Sequence, residues 1–245
     1  MIIDPEKCIA CLGCLPYCPL SAIRPSPDGR PVIDLETCVE CGTCRRSSGC
    51  PAGAHFQPEL AWPRVLRALY SDPQRVHRQT LLPGRGTEEM KTNDVTGRVG
   101  PGELLIVLDI GRPGCSASFA EVEVLAGACL RAGAIFAPGN PLLSLMEDPG
   151  RGTFPGMIKC ERVLSVCLEV IIHAEGLPQL VSCLNKVASR LLTVFSFSLS
   201  LLERDRYGHN LKERLAAWGI DVSERGKVNL GFGRPPFDFT KGRET

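Results

Sequence analysis

Eight cysteines in the first fifty residues constrain this chain more than anything else in it. Cys8, Cys11, Cys14 and Cys18 run as C-x2-C-x2-C-x3-C-P, and Cys38, Cys41, Cys44 and Cys50 as C-x2-C-x2-C-x5-C-P. Three thiols two residues apart let a tight loop wrap one cubic cluster and reach three of its corners, and the fourth corner is filled from farther along the chain. Two such groups are a ligand set for two [4Fe–4S] clusters. Zinc sites instead pair C-x2-C units across longer gaps. The total of thirteen cysteines is odd and eight of them are clustered, which argues against a disulfide framework.

The cysteine region is an internal duplication. Ile3-Asp4-Pro5-Glu6-Lys7-Cys8 is echoed by Ile33-Asp34-Leu35-Glu36-Thr37-Cys38, and Cys11 and Cys14 map by the same step onto Cys41 and Cys44. Each half is too short to bury a core alone, so the halves must pack on each other around metal. The metal then supplies much of the folding free energy. Ile2-Ile3 and Val32-Ile33 read as short strands entering the loops, and Pro19 and Pro51 turn the chain away after each fourth cysteine. Gly13, Gly42 and Gly49 permit backbone amides to approach sulfur, where N–H donors help set a reduction potential.

Residues 1–56, through CIACLGCLPYCP and CVECGTCRRSSGCP, resemble the two-cluster bacterial ferredoxin family. The resemblance implies that the fourth cysteine is exchanged between halves. Cys8, Cys11, Cys14 and Cys50 would then hold one cluster, and Cys18, Cys38, Cys41 and Cys44 the other. The chain departs from that pattern between Cys44 and Cys50, where the spacing is two residues longer than between Cys14 and Cys18. The longer turn carries Arg45-Arg46-Ser47-Ser48 next to the first cluster's fourth ligand.

Beyond this module (1–60) the sequence predicts a connecting segment over 61–102. Trp62-Pro63 opens a helix with Val65, Leu66, Leu69 and Tyr70 on its apolar side, placed to cover the module. Ser71-Asp72-Pro73 ends it or caps a second short helix through Val76. Leu82 to Gly102 shows neither helical nor strand period. It reads as a solvated linker, or as an arm whose Arg85, Lys91 and Arg98 meet an anion or a partner.

Residues 103–203 carry a β-α-β-β-α-β pattern. Strands are expected at Glu103–Ile110, near Ile135-Phe136 or Leu142–Met146, from Glu161 to His173, and from Thr193 to Leu201. Helices are expected from about Ser118 to Ala132 and from Pro178 to about Leu191. The predicted fold class is therefore α+β: a two-cluster ferredoxin module followed by a split βαβ plait (βαββαβ). In shape the plait resembles ligand-binding regulatory domains of the ACT type. Val163, Cys167 and Ile171 make its second face partly apolar, a face better suited to an interface than to a ligand pocket.

Cys115, Cys129, Cys160, Cys167 and Cys183 form no C-x2-C unit; three sit at helix or strand positions and read as small buried apolar residues, while Cys115 lies in a turn with no adjacent base to make it a nucleophile, and His55, His77, His173 and His209 are scattered. One other motif invites a functional alternative: Gly111, Arg112, Gly114 and Ser116, after a strand and before a helix, would hold an anion at the helix N-terminus, although G-x-G-x-x-G is lacking and Arg112 equally suits a neighbouring chain's carboxylate or water. In 204–245, Asn210 caps a helix through Trp218 that stops at Gly219-Ile220, and Phe232, Phe237 and Phe239 suit a docking tail.

A formal net charge of +1 argues against a general nucleic-acid binder. No apolar run is long enough for a membrane span, and the first residues have no signal-peptide character. Thiolate-ligated iron fits a reducing cytoplasm. The sequence shows no Rossmann fingerprint, flavin site or acid–base pair, so no catalytic residue is assigned. The reading is one-electron transfer through two [4Fe–4S] clusters in the iron–sulfur subunit of a larger oxidoreductase. Its partners would be a catalytic redox subunit, a soluble electron carrier, or both, in a hetero-oligomer. The competing readings are a self-contained iron–sulfur reductase and a redox or metabolite sensor with an ACT-like ligand domain.

Overall fold

In a computed structural model that describes residues 1–78, 80–83, 98–112, 114–200 and 211–221, the duplicated sequence becomes two small ribbons. β1 (Ile2–Ile3) pairs antiparallel with the later β4 (His55–Phe56), and β2 (Ile23–Pro25) pairs with β3 (Pro31–Ile33). Between β3 and β4, α1 (Thr43–Ser47) occupies the longer turn. Gly42 stands before α1 with φ 69°, a left-handed conformation that favours glycine. Met1, Cys14, Ile23 and Cys44 bury together as the module's own small core, with a thiol from each half.

The connecting helix is α2 (Val65–Ser71), which ends at Asp72-Pro73. Residues 73–76 form a turn rather than the expected second helix, and Val76 makes a single bridge with Pro83. The expectation that α2 covers the module needs amending, because Leu66 and Tyr70 are buried in the core of the larger unit. The Tyr70 ring packs edge-on against Phe119 at 5.8 Å, and Phe119 against Phe154 at 5.3 Å. Such aromatic pairs add about 0.5–1.5 kcal/mol beyond their area burial.

The larger unit mixes helix and strand. Its elements are β5 (Glu103–Ile110), β6 (Ala117–Ser118), α3 (Phe119–Arg131), β7 (Ile135–Phe136), α4 (Gly156–Lys159), β8 (Arg162–Val163), β9 (Val166–His173), α5 (Leu177–Ala188) and β10 (Phe195–Ser200). The sheet order is β10-β5-β9-β7, with every neighbouring pair antiparallel. Period-two alternation separates its faces. Ile106, Leu108, Val166, Leu168, Val170 and Ile172 join the core that also contains the apolar sides of α3 and α5.

On the other face Leu105, Val107, Cys167 and Ile171 pack with Val99 and Ala137. Arg98, one of the three cations expected to meet an anion, lies there and pairs with Glu169 at 3.3 Å. Arg85 and Lys91 lie outside the described residues.

One predicted strand is divided. Glu161 to His173 was expected as a single strand, but the chain leaves the sheet at Leu164-Ser165. β8 pairs instead with β6 in a separate ribbon. One hydrogen bond holds the break: the Leu164 N–H donates to Ser71 Oγ at 2.8 Å, and the Leu164 carbonyl oxygen lies where a side chain at position 111 would need room. Of the two places offered for the second strand, Ile135–Phe136 is the strand, and Pro141–Leu145 forms a 3-10 turn capped by Asn140. α5 stops at Ala188, short of the expected Leu191.

A last helix, α6 (Leu211–Ala217), buries Leu215 in the main core, and Ile220 follows it there. Gly219 takes φ 70° and the Ile220 N–H returns to the Leu215 carbonyl at 2.8 Å, a glycine C-cap with its apolar contact. Asn210, His209, Leu201 and the phenylalanines Phe232, Phe237 and Phe239 lie outside the described residues. Among the described residues no helix is long and apolar enough to cross a membrane.

Candidate metal centre

The two cysteine loops repeat a backbone shape as well as a sequence. Ala10 and Leu12 in the first loop have φ of 56°, and their counterparts Glu40 and Gly42 have φ of 58° and 69°. Left-handed positions are costly for residues other than glycine and are kept where the surroundings demand them. A chain curled this way gathers successive amide N–H groups into a concave nest suited to an anion.

The thiols sort by environment into two groups. Burial pushes the Cys14 thiol up from its ordinary range, and the neighbouring thiols Cys11, Cys8 and Cys50 push it further. Burial likewise raises Cys44, to about 12, with Cys41, Cys38 and Cys18 adding to it. Cys38 is also raised, again chiefly by burial. Cys14 and Cys44 therefore each feel the other two thiols of their own run together with the fourth cysteine of the opposite half.

Cys18, Cys38, Cys41 and Cys44 line one partly open hollow together with Met1 and Ile23. All thirteen cysteines are free thiols. Among the described residues no three or more His, Cys, Asp or Glu side chains close on a point suited to one metal ion. Sulfur also has donors at hand: the Ala22 N–H lies 3.1 Å from Cys18 Sγ, and Thr43 Oγ1 lies 3.3 Å from Cys41 Sγ. The donor set fits [4Fe–4S] ligation.

Around the second loop lies a polar network that sequence reasoning missed. Glu40, between Cys38 and Cys41, is 0% exposed. Its carboxylate accepts bonds from Arg64 at 2.7 and 2.9 Å, from Gln57 at 3.3 Å, and from the Met1 amine. Burial would raise its pKa, but the amine and Arg64 outweigh that and hold it below the usual carboxylate range. Arg67 donates to the carbonyls of Leu35, Glu36 and Cys38 at 2.9 to 3.0 Å, and its Nε meets Glu161 at 2.5 Å. Arg46 bonds the Cys41 carbonyl and pairs with Asp72 at 2.8 Å. The one sequence signal was CVEC against CIAC, a charge placed inside a loop meant to enclose metal.

The other candidate site does not assemble. The N-terminus of α3 is already served by its own capping box, in which Ser118 N–H donates to Glu121 Oε2 at 2.8 Å and Glu121 N–H donates to Ser118 Oγ at 3.3 Å. Ser116 Oγ accepts from Arg162 at 3.1 and 3.2 Å. Gly111 serves packing, since a Cβ there would stand 2.8 Å from the Leu164 carbonyl oxygen. Cys129 and Cys167 are buried as expected, but Cys115 and Cys160 are exposed and Cys183 is half-buried. His55 and His77 are buried, the latter edge-on to Tyr70 at 4.6 Å.

Residues 1–24 match the family described as 4Fe-4S binding domain. Over 41 residues the chain is 51% identical to Ferredoxin-1 of Rhodobacter capsulatus, covering 17% of this chain and 62% of the relative. Over 53 residues it is 38% identical to pyruvate synthase subunit PorD of Methanocaldococcus jannaschii, covering 22% of this chain and 59% of that protein. The chain thus spans about three-fifths of the length of the curated relatives it matches. No solved structure matches it significantly. This is a chain of mixed helix and strand that carries a 4Fe-4S binding domain at its N-terminus and is similar there to ferredoxins.

Proposed function

We propose that this protein carries two [4Fe–4S] clusters and passes electrons singly, as the iron–sulfur subunit of a larger cytoplasmic oxidoreductase. The observation that carries the reading is that Cys18 of the first half lines one hollow with Cys38, Cys41 and Cys44 of the second. Cys8, Cys11, Cys14 and Cys50 hold one cluster, and Cys18, Cys38, Cys41 and Cys44 the other. The clusters supply one-electron redox capacity. The chain's own residues fix their positions, exclude water from the second loop and place N–H and hydroxyl groups near sulfur.

We read the larger unit as a split βαβ plait, supported by the order β10-β5-β9-β7 with α3 and α5 packed in one core. Its part is assembly rather than chemistry, since the Gly111–Ser116 turn is spent on packing and on internal hydrogen bonds. The similarity to a protein named as a subunit of pyruvate synthase supports a place beside a catalytic redox subunit. Anaerobic reconstitution is the test. It should give about eight irons and eight sulfides per chain, with a visible absorption that bleaches on reduction. Fewer than about four irons per chain would reject two clusters.

A further inference from the structure

Positions that match in the repeat do not match in exposure. Ile9 is 64% exposed, while its counterpart Val39 is 2% exposed. Ala10 is exposed and Glu40 buried. Cys11 is the one exposed thiol among the eight, and Cys41 is buried. The cover over the second loop is this chain's own Arg46, Arg64 and Arg67, bonded to Glu40 and to the carbonyls of Leu35, Glu36, Cys38 and Cys41. Among the described residues, none beyond the module hydrogen-bonds to residues 8–14.

The uncovered loop also differs in chemistry. From Cys8 to Ile23 the sequence contains no charged residue, and Tyr17, just beyond the loop, is 41% exposed. Covering the exposed Ile9 and Tyr17 side chains with a partner removes apolar surface from water, which is favourable. Electron exchange falls steeply with distance, so the exposed thiol is the natural point of approach.

Resting on the two-cluster reading, we propose that a one-electron redox protein docks by apolar contact on the Ile9–Cys11 loop and exchanges electrons there, over the Cys8, Cys11, Cys14 and Cys50 group. One electron leaves the reduced donor for the oxidised chain at each encounter. No atom, proton or leaving group moves. The second group, capped from within, trades electrons with the first.

The test uses the full, cluster-loaded chain, reduced and then mixed with anionic hexacyanoferrate(III) or cationic hexaammineruthenium(III). Each oxidant takes one electron. Ile9→Lys should speed the anion and slow the cation, and Ile9→Glu should do the reverse, by roughly threefold or more at about 10 mM salt, where screening is weak. A shift in cluster potential would move both rates the same way, so opposite signs isolate approach.

Leu35, 46% exposed beside the covered loop, provides the control through Leu35→Lys and Leu35→Glu, which should change the rates much less. A readout independent of electron transfer is the relaxation of the reduced cluster spins by a dissolved anionic dysprosium chelate, stronger in Ile9→Lys than in Ile9→Glu. Unmoved rates in loaded Ile9 variants, equal or larger effects at Leu35, or equal relaxation in the two Ile9 variants would overturn the proposal and leave the two-cluster reading standing. A chain that binds no clusters would overturn both.

Discussion

The Arg67 guanidinium donates to the backbone carbonyl of Cys38 at 2.9 Å while its other edge meets Glu161 at 2.5 Å. One buried side chain therefore ties a thiol-bearing loop to the edge of the larger unit, across sequence separations of 29 and 94 residues. It sits on α2, whose Leu66 and Tyr70 belong to the main core, so the loop is anchored to the best-packed part of the protein.

Arg67→Ala should destabilise the chain by about 3–5 kcal/mol, because it leaves Glu161 and the carbonyls of Glu36 and Cys38 without their partner, while Leu35 keeps only Arg64. Arg67→Lys keeps the charge but loses the planar fork, and should recover only part of the loss. Anaerobic denaturant titration followed by visible absorption and circular dichroism measures both. Equal stability of Arg67→Ala and the parent chain would show that the tie is idle.

Glu40→Gln should cost several kcal/mol, on the order of the 3–5 expected for breaking a buried ion pair, since Arg64 and the Met1 amine would lose their carboxylate. Ala10→Gln, at the equivalent exposed position, should stay within about 0.5 kcal/mol. The pair is compared by the same denaturant titration. Similar effects at both positions would mean that the asymmetry of the loops carries no energy.

Cys50→Ser and Cys18→Ser should damage different clusters, the first the group around Cys14 and the second the group around Cys44. Each variant should retain at least about four irons and lose a different component of the reduced EPR spectrum. Loss of the same component in both would contradict the exchange of fourth ligands between halves.

Gly111→Ala should destabilise the larger unit by roughly 1–3 kcal/mol. Its φ is 89°, and the added methyl would meet a backbone oxygen at 2.8 Å that no side-chain rotation can relieve. Gly29→Ala, with φ 81° and open space around it, isolates the conformational part of that cost. A thermal scan should show a clearly larger drop for Gly111→Ala.

The departures from expectation have a common cause. Alternation over Glu161–His173 correctly assigns Val166, Leu168, Val170 and Ile172 to one face, but it cannot register that Ser71, far back in the chain, captures the Leu164 amide. The anion site expected at Gly111–Ser116 follows from strand-turn-helix order alone. Glu121, three residues into the cap, uses the donors that such a site would need.

By itself the sequence determined the thiol spacing, the duplication and the alternating apolar positions, because each depends on residues a few places apart. Tertiary structure alone decided that Glu40 is buried under Arg64, that Arg67 reaches Cys38, and that Cys11 stays exposed while Cys41 does not. Those outcomes come from ion pairs and hydrogen bonds between segments 24 to 94 residues apart, formed only when α2 seats its apolar side in the main core. Local periodicity holds no record of which distant surface will close over a loop.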